Sequence, residues 1–301
     1  MIERLLAGLE VGGRYAAHYI PNVRSYANRW VRRTPKAPES FTLADFQKAI
    51  GDAGVTLGRD LLVHASWSGF QRLQSKPSAL LGALRELIGE RHTLMTPTGA
   101  VEKLRDGVLV YDREKSPSRM GLLSESLRRT RGALRSPVPI APVSAIGPDA
   151  EAYTRDYREE SSLTPWGRGS PYWEIANRGG QVLVLGIDFV RTLTLMHTAF
   201  DVLLDVNPIP NYYEQVDYIV VRDGKEERWS LRHQQRYLEQ HLATYAFRRM
   251  ALASGTIVER RWRGVRICVV DAKAFLDWHM PIAKQTGLPY WGWKLRPKSA
   301  K

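Results

Sequence analysis

Leu61-Leu62-Val63-His64-Ala65-Ser66-Trp67-Ser68-Gly69-Phe70 is the stretch that decides the fold. Its first four residues are a short, nearly continuous apolar run with no helical stripe, and they read as a buried strand. The strand enters a loop of small residues, Ala65 to Ser75. Pro77 then opens a helix with Leu80, Leu81, Leu84, Leu87 and Ile88 on one face and Gly89 as its stop. Thr93 to Thr96 supplies the next strand. Strand, loop, helix and strand at this length make a βαβ unit, from which parallel pairing follows. Ligands of open parallel sheets sit beyond the carboxyl ends of the strands, so the Ala65 to Ser75 loop is a binding-loop candidate. The fold class expected is α/β: a central, largely parallel sheet flanked by helices, plus a hairpin-containing C-terminal part.

Upstream, Met1 to about Ser40 reads as an amphipathic segment, with Leu5, Leu6 and Leu9 at helical spacing and Tyr15 and Tyr19 following. Pro21 to Ala37 carries Arg24, Arg29, Arg32, Arg33 and Lys36 and no acid. A solvated helix and connector is the plain reading, and a membrane-surface or phosphate-binding arm the alternative. Phe41 to Ala53 reads as a helix opened by Thr42 with Asp45 in its first turn. Downstream, the proline-rich Ser136 to Pro142 precedes a second unit, in which a helix around Tyr172–Arg178 leads into a strand over Gln181–Ile187. After Asn207-Pro208-Ile209-Pro210, Asp217 to Val221 and Glu227 to Ser230 flank an Asp223-Gly224 turn, a hairpin signal. A long helix over Leu231 to Ala253, a strand at Val265–Val270 and a helix from Asp271 to about Ala283 complete the expectation.

Composition narrows the class. The chain has 301 residues, 44% of them hydrophobic and 25% charged, enough apolar material for a sizeable core and against global disorder. Lys and Arg exceed Asp and Glu by 13, a field that attracts nucleic acid, acidic lipid and phosphorylated cofactors alike. The single cysteine, Cys268, excludes an internal disulfide framework and a cysteine-based zinc cluster. Gln181 to Val190, the longest apolar stretch, is broken by Gly186 and Asp188 and falls short of the ~20 residues of a bilayer span. Glu3, Arg4 and Glu10 interrupt the N-terminus, so no signal peptide is expected and the protein reads as soluble and cytoplasmic. No phosphate-binding glycine fingerprint, nucleophile elbow or helical zinc motif is present, and no metal is expected.

Function has to be read from looser constellations. Leu61 to Phe70 is followed, one helix later, by Leu94-Met95-Thr96-Pro97-Thr98. Gly132-Ala133-Leu134-Arg135-Ser136, Val143-Ser144-Ala145-Ile146-Gly147 and Thr164-Pro165-Trp166-Gly167-Arg168-Gly169-Ser170-Pro171-Tyr172 come next. Val182-Leu183-Val184-Leu185-Gly186 and Leu193-Thr194-Leu195-Met196-His197-Thr198-Ala199 close the series. In this order and spacing the set resembles the aminoglycoside 3-N-acetyltransferase family, over roughly Phe41 to Ala283.

The resemblance implies transfer of acetyl from acetyl-CoA, as co-substrate, to an amine of an amino sugar, with no metal. It implies a domain division of 1–40, an N-terminal amphipathic basic segment, 41–285, the acetyltransferase domain, and 286–301, a basic tail with Lys294, Arg296, Lys298 and Lys301. In that family the loop matching Val63 to Gly69 holds the pantetheine arm of CoA. This makes His64, Ala65, Ser66, Ser68, Gly69 and Thr98 the cofactor-binding residues implied, and Thr194 and Ser170 the substrate-binding ones. The family's Thr-x-x-His motif, here Thr194 to His197, supplies the base that takes a proton from the attacking amine. Imidazole suits the task because it titrates near working pH.

Departures from the family pattern bear on the acceptor. Phe200 stands where the family places a Glu to orient the His; the nearest acids are Asp201 and Asp205. Asp201 lies one turn from His197 if the segment is helical, and it is the orienting residue expected. Val138-Pro139-Ile140-Ala141-Pro142 replaces a run containing two histidines and a serine, and the interval from Gly186 to His197 is one residue longer. With the basic charge, these departures favour a biosynthetic, anionic or nucleotide- or polysaccharide-linked amino-sugar acceptor, with an aminoglycoside resistance enzyme as the alternative. A non-catalytic nucleic-acid-binding protein using nine tryptophans and Arg260-Arg261-Trp262-Arg263 is a further alternative, without a module signature to support it. The oligomeric state stays open, a dimer among the options.

Overall fold

The computed structural model describes residues 2–19, 39–101, 103–158, 164–204, 209, 211–235 and 241–291, and of residues 17–19 the backbone alone. Asp205, the 20–38 segment and the last ten residues, with Lys294, Arg296, Lys298 and Lys301, lie outside the described residues. In chain order the elements are α1 (Ile2–Tyr19), α2 (Leu43–Asp52), β1 (Leu61–Ala65), α3 (Pro77–Ile88), β2 (Leu94–Pro97), β3 (Lys103–Arg105) and β4 (Val108–Asp112). Then follow α4 (Leu122–Arg128), β5 (Leu134–Arg135), β6 (Val143–Ile146), α5 (Ala150–Thr154), α6 (Pro171–Asn177), β7 (Gln181–Leu185) and α7 (Leu195–Val202). The chain finishes with β8 (Tyr213–Arg222), β9 (Lys225–Gln234), α8 (Thr244–Ala253), β10 (Ile257–Trp262), β11 (Val265–Asp271) and α9 (Ala272–Thr286).

The α/β class and the βαβ start hold. Seven strands form one sheet in the order β10-β11-β7-β1-β2-β6-β5. Only its middle is parallel: β1 pairs in parallel with β2 and β7, while β11, β10, β6 and β5 join antiparallel. The expectation of a largely parallel sheet is therefore corrected. The outer strands are joined in chain-adjacent pairs, β10 to β11 and β5 to β6, and such short connections give antiparallel pairing. The central strands are buried on both faces. Along β7, Val182 and Val184 join the core under α6, α8 and α9, while Leu183 and Leu185 face the core of α2, α3 and α4.

A second sheet, β3-β4-β8-β9, was not legible beforehand. Its hairpin turns at Asp223-Gly224 as expected, but the strands are longer, and Leu231 to Gln234 belongs to β9. The single helix expected from Leu231 to Ala253 is thus wrong in its first part. Trp229 and Leu231 alternate inward with polar neighbours, a period of two that overrides the helical reading. β10 was missed because an edge strand carrying Glu259, Arg260 and Arg261 has little apolar signal. Trp262 packs its ring against Phe41 and Phe46, with centroids 4.9 and 5.8 Å away, so its ring serves the core rather than base stacking.

The N-terminal helix is part of this body. Ala7 and Val11 are buried in the core, whereas Leu5 and Leu9 are 65% and 66% exposed. The Glu10 carboxylate accepts from Tyr245 N at 2.9 Å and from the Thr244 hydroxyl at 2.9 Å, placing an anion at the N-terminus of α8. The basic tail expected from residue 286 begins too early, since Leu288 and Tyr290 are buried. Among the described residues no helix is long and apolar enough to cross a membrane.

Candidate active site

The carboxyl ends of β1 and β7 lie side by side, and the loop after β1 is stitched across them. Ser66 N donates to Leu185 O at 2.9 Å, and Gly69 N turns back to Ser66 O at 2.8 Å, forming a short 3-10 turn over Trp67–Phe70. The hydroxyls of Ser66 and Ser68 share a hydrogen bond of 3.0 Å and face solvent, next to Ala65. Gly69 meets the Gly186 backbone so closely that any Cβ would collide with it. Its small size serves the joint between the two strands' loops.

His64 closes the floor of this region. It is 4% exposed, and burial lowers its pKa to about 3, so the ring is neutral. Its Nδ1 and Nε2 lie 3.3 Å from the hydroxyls of Thr192 and Thr194, one nitrogen donating and the other accepting. His64 therefore acts as a strut, tying β1 to the turn from which α7 starts. Thr194, expected to meet substrate, is held by that strut.

His197 projects from the first turn of α7 and stays partly exposed. The ring of Trp166 lies against it, centroids 5.0 Å apart. Crowding by neighbours depresses its pKa from 6.5 to about 4, leaving a neutral imidazole at physiological pH. Its Nδ1 lies 2.6 Å from the Tyr290 hydroxyl, which lies 2.7 Å from the Tyr212 hydroxyl, and the Gln234 side chain reaches Tyr212.

Asp201 does share the helix with His197, but its carboxylate goes elsewhere. It accepts from Trp166 N at 2.9 Å and from the Tyr213 hydroxyl, and no hydrogen bond joins it to His197. At 3% exposure burial raises its pKa to about 7, against the lowering effect of those two donors. The expected orienting contact is thus corrected: two donors outside α7 turn this carboxylate away from the neighbouring ring.

Two further expected contacts point inward. The Thr98 side chain is fully buried; its hydroxyl donates to Pro142 O at 3.4 Å and accepts from Ser144 at 3.3 Å. The Ser170 hydroxyl accepts from Trp173 N at 3.2 Å and caps α6, in a fully buried position. Both are corrected to structural residues here. The Arg135 guanidinium of the neighbouring motif is likewise buried, donating to the carbonyls of Ser116 and Thr98, each at 2.6 Å. Val138 and Ile140, in the run that lacks the family's histidines, pack with Tyr157, Tyr218, Trp229 and Leu231.

Sequence reasoning missed Tyr290, Tyr212 and Trp166 as neighbours of the histidine. Tyr290 is 93 positions from His197, and no spacing rule spans that distance. Among the described residues no group of His, Cys, Asp or Glu could hold a metal ion.

The model of the aminoglycoside 3-N-acetyltransferase family matches residues 62–281. Aminoglycoside N(3)-acetyltransferase VII of Streptomyces paromomycinus is 32% identical over 167 residues, covering 48% of this chain and 55% of that relative. Aminoglycoside N(3)-acetyltransferase III of Serratia marcescens is 32% identical over 196 residues, 59% of this chain and 70% of the relative. The chain spans between 55% and 60% of the first curated relatives' lengths. Among solved structures, AAC-IIIb in a binary complex with CoASH matches with a TM-score of 0.69 at 24% identity, over 84% of this chain and all of that one. Structures of the same fold were solved with apramycin and with sisomicin. Ordered motifs, a shared fold and a family match over most of its length agree: the chain belongs to the aminoglycoside 3-N-acetyltransferase family.

Proposed function

We propose that the protein transfers the acetyl group of acetyl-CoA to an amine of an aminoglycoside. The observation that carries this is His197: neutral, partly exposed, and linked through Thr194 and His64 to the strand whose loop offers Ser66 and Ser68. The amine nitrogen forms a bond to the thioester carbonyl carbon, the carbon–sulfur bond breaks, and CoA leaves as its thiol. His197 Nε2 takes the proton the amine must lose and returns it to the departing sulfur. The exposed hydroxyls of Ser66 and Ser68 suit the amide-rich pantetheine arm.

The relatives favour the aminoglycoside over the anionic, biosynthetic acceptor first expected, and the charge is no obstacle. Nine of the 13 net positive charges lie in two acid-free segments, residues 20–38 and 292–301, outside the span matched by the family. The matched body is far less basic than the whole chain and need not repel a cationic substrate. The direct test is purified protein with acetyl-CoA and sisomicin, following thiol release. Steady turnover supports the reading. Its absence, alongside turnover of a phosphorylated amino sugar, restores the biosynthetic one.

A further inference from the structure

We propose that Tyr290, backed by Tyr212, is the positioning residue of His197, so that a neutral phenol chain does the work of orienting the imidazole. This rests on the reading of His197 as the base. The geometry is specific. The Tyr290 hydroxyl is 2.6 Å from Nδ1 of His197 and 2.7 Å from the Tyr212 hydroxyl, and the tyrosine is 1% exposed. The carboxylate nearest along α7, that of Asp201, is engaged by Trp166 N and Tyr213.

The surroundings hold this phenol in place from four sides. Phe200 sets its ring edge-on to Tyr290, centroids 4.8 Å apart, so the apolar residue at 200 supports the tyrosine. Nε2 of the buried His279 donates to Leu288 O at 3.0 Å, and Ala243 N donates to Pro289 O at 2.8 Å, pinning the backbone just before Tyr290. Trp291 N donates to His241 O at 2.8 Å on the other side. Burial pushes the ionisation of both Tyr290 and Tyr212 upward, so each stays a neutral hydroxyl with one proton to give.

One proton per hydroxyl makes the chain directional. For His197 to accept at Nε2, its proton must sit on Nδ1 and point at Tyr290, whose own proton then points at Tyr212. Tyr212 takes that bond on one lone pair and accepts from the Gln234 amide nitrogen on the other. Were Tyr290 to donate to Nδ1 instead, the imidazole proton would sit on Nε2, where it blocks proton uptake. Tyr290 thus sets both the ring plane and the tautomer.

The test compares wild type with Tyr290→Phe and Tyr212→Phe. Imidazole nitrogen shifts are recorded by NMR, with His197 assigned through His197→Gln, and kinetics use acetyl-CoA and sisomicin. Tyr290→Phe should redistribute the His197 proton between Nδ1 and Nε2 and lower kcat about tenfold or more, with KM for acetyl-CoA within about twofold. Tyr212→Phe should give a smaller change of the same kind. Unchanged His197 nitrogen shifts in Tyr290→Phe would overturn the proposal, as would an unchanged kcat. A wild-type protein inactive on sisomicin would count against the proposed function alone, because the nitrogen shifts still decide the role of Tyr290.

Discussion

Gly69 and Gly186 touch backbone to backbone: a Cβ on Gly69 would stand 2.0 Å from the Gly186 carbonyl oxygen and 2.4 Å from its Cα. Neither neighbour is a side-chain end that could swing aside. Gly69→Ala should therefore destabilise the fold by about 2–4 kcal/mol, at the upper end for a single methyl. Gly82→Ala is the counterpart, since Gly82 lies inside α3 with nothing within 4 Å of its added carbon. It should stabilise by about 1 kcal/mol. Urea or thermal unfolding of the two variants should move in opposite directions; movement of both the same way would refute the close-packing account.

Acetyl-CoA should raise the melting temperature if the loop carrying Ser66 and Ser68 receives it, because a ligand of the native state alone adds stability. At 100 times its Kd the gain is about 2.7 kcal/mol. Ser66→Ala with Ser68→Ala should reduce the shift without altering the melting point of the free protein, as the two hydroxyls bond to each other at the surface. An undiminished shift would move the CoA arm elsewhere.

His197→Ala should lower turnover by ~10²–10⁴-fold, the range for a positioned base, with the acetyl-CoA shift intact. The residue is partly exposed and contributes one hydrogen bond, so circular dichroism and the melting curve should change little. Turnover within a few-fold of wild type would leave His197 a structural residue.

Acid should destabilise the fold through the histidines that folding desolvates. Burial lowers His64 to about 3 and His197 and His279 to about 4, each from 6.5. Between pH 6.5 and those values the unfolded chain binds protons that the folded one refuses, so stability falls as pH falls. Asp201, raised from 3.8 to about 7, works the other way: its folded form holds a proton longer, and that contribution fades as pH rises through 7. Wild type should therefore lose melting temperature from pH 6.5 downward. The melting difference of Asp201→Asn relative to wild type should shift in favour of Asn between pH 4 and pH 8. A flat difference would mean Asp201 titrates normally.

The site was only partly readable along the chain. His197, His64, Ser66 and Ser68 stand in local motifs tied to strand ends and a helix start, and short-range geometry places such residues. Thr98 and Ser170 stand in motifs just as clear, yet their hydroxyls are used by Pro142, Ser144 and Trp173. A motif fixes the residue and its element; it does not say which face meets solvent. The same limit holds for Leu5 and Leu9, whose helical spacing is realised in α1 while their side of the helix meets solvent.

What the sequence by itself determined is the central βαβ frame, the hairpin at Asp223-Gly224 and the Thr194–His197 turn. Each is written in contiguous residues: apolar period, glycine and proline punctuation, capping side chains. What only the tertiary structure decided is the second sheet, the antiparallel flanks and the partner of His197. β4 pairs with β8 across about a hundred residues, and Tyr290 reaches His197 across 93. Asp201 lost the expected role because two donors from distant segments bind its carboxylate more directly than the neighbouring ring can. Local periodicity carries no information about which remote donor will arrive, and in a crowded interior that arrival decides where each polar side chain spends its hydrogen bonds.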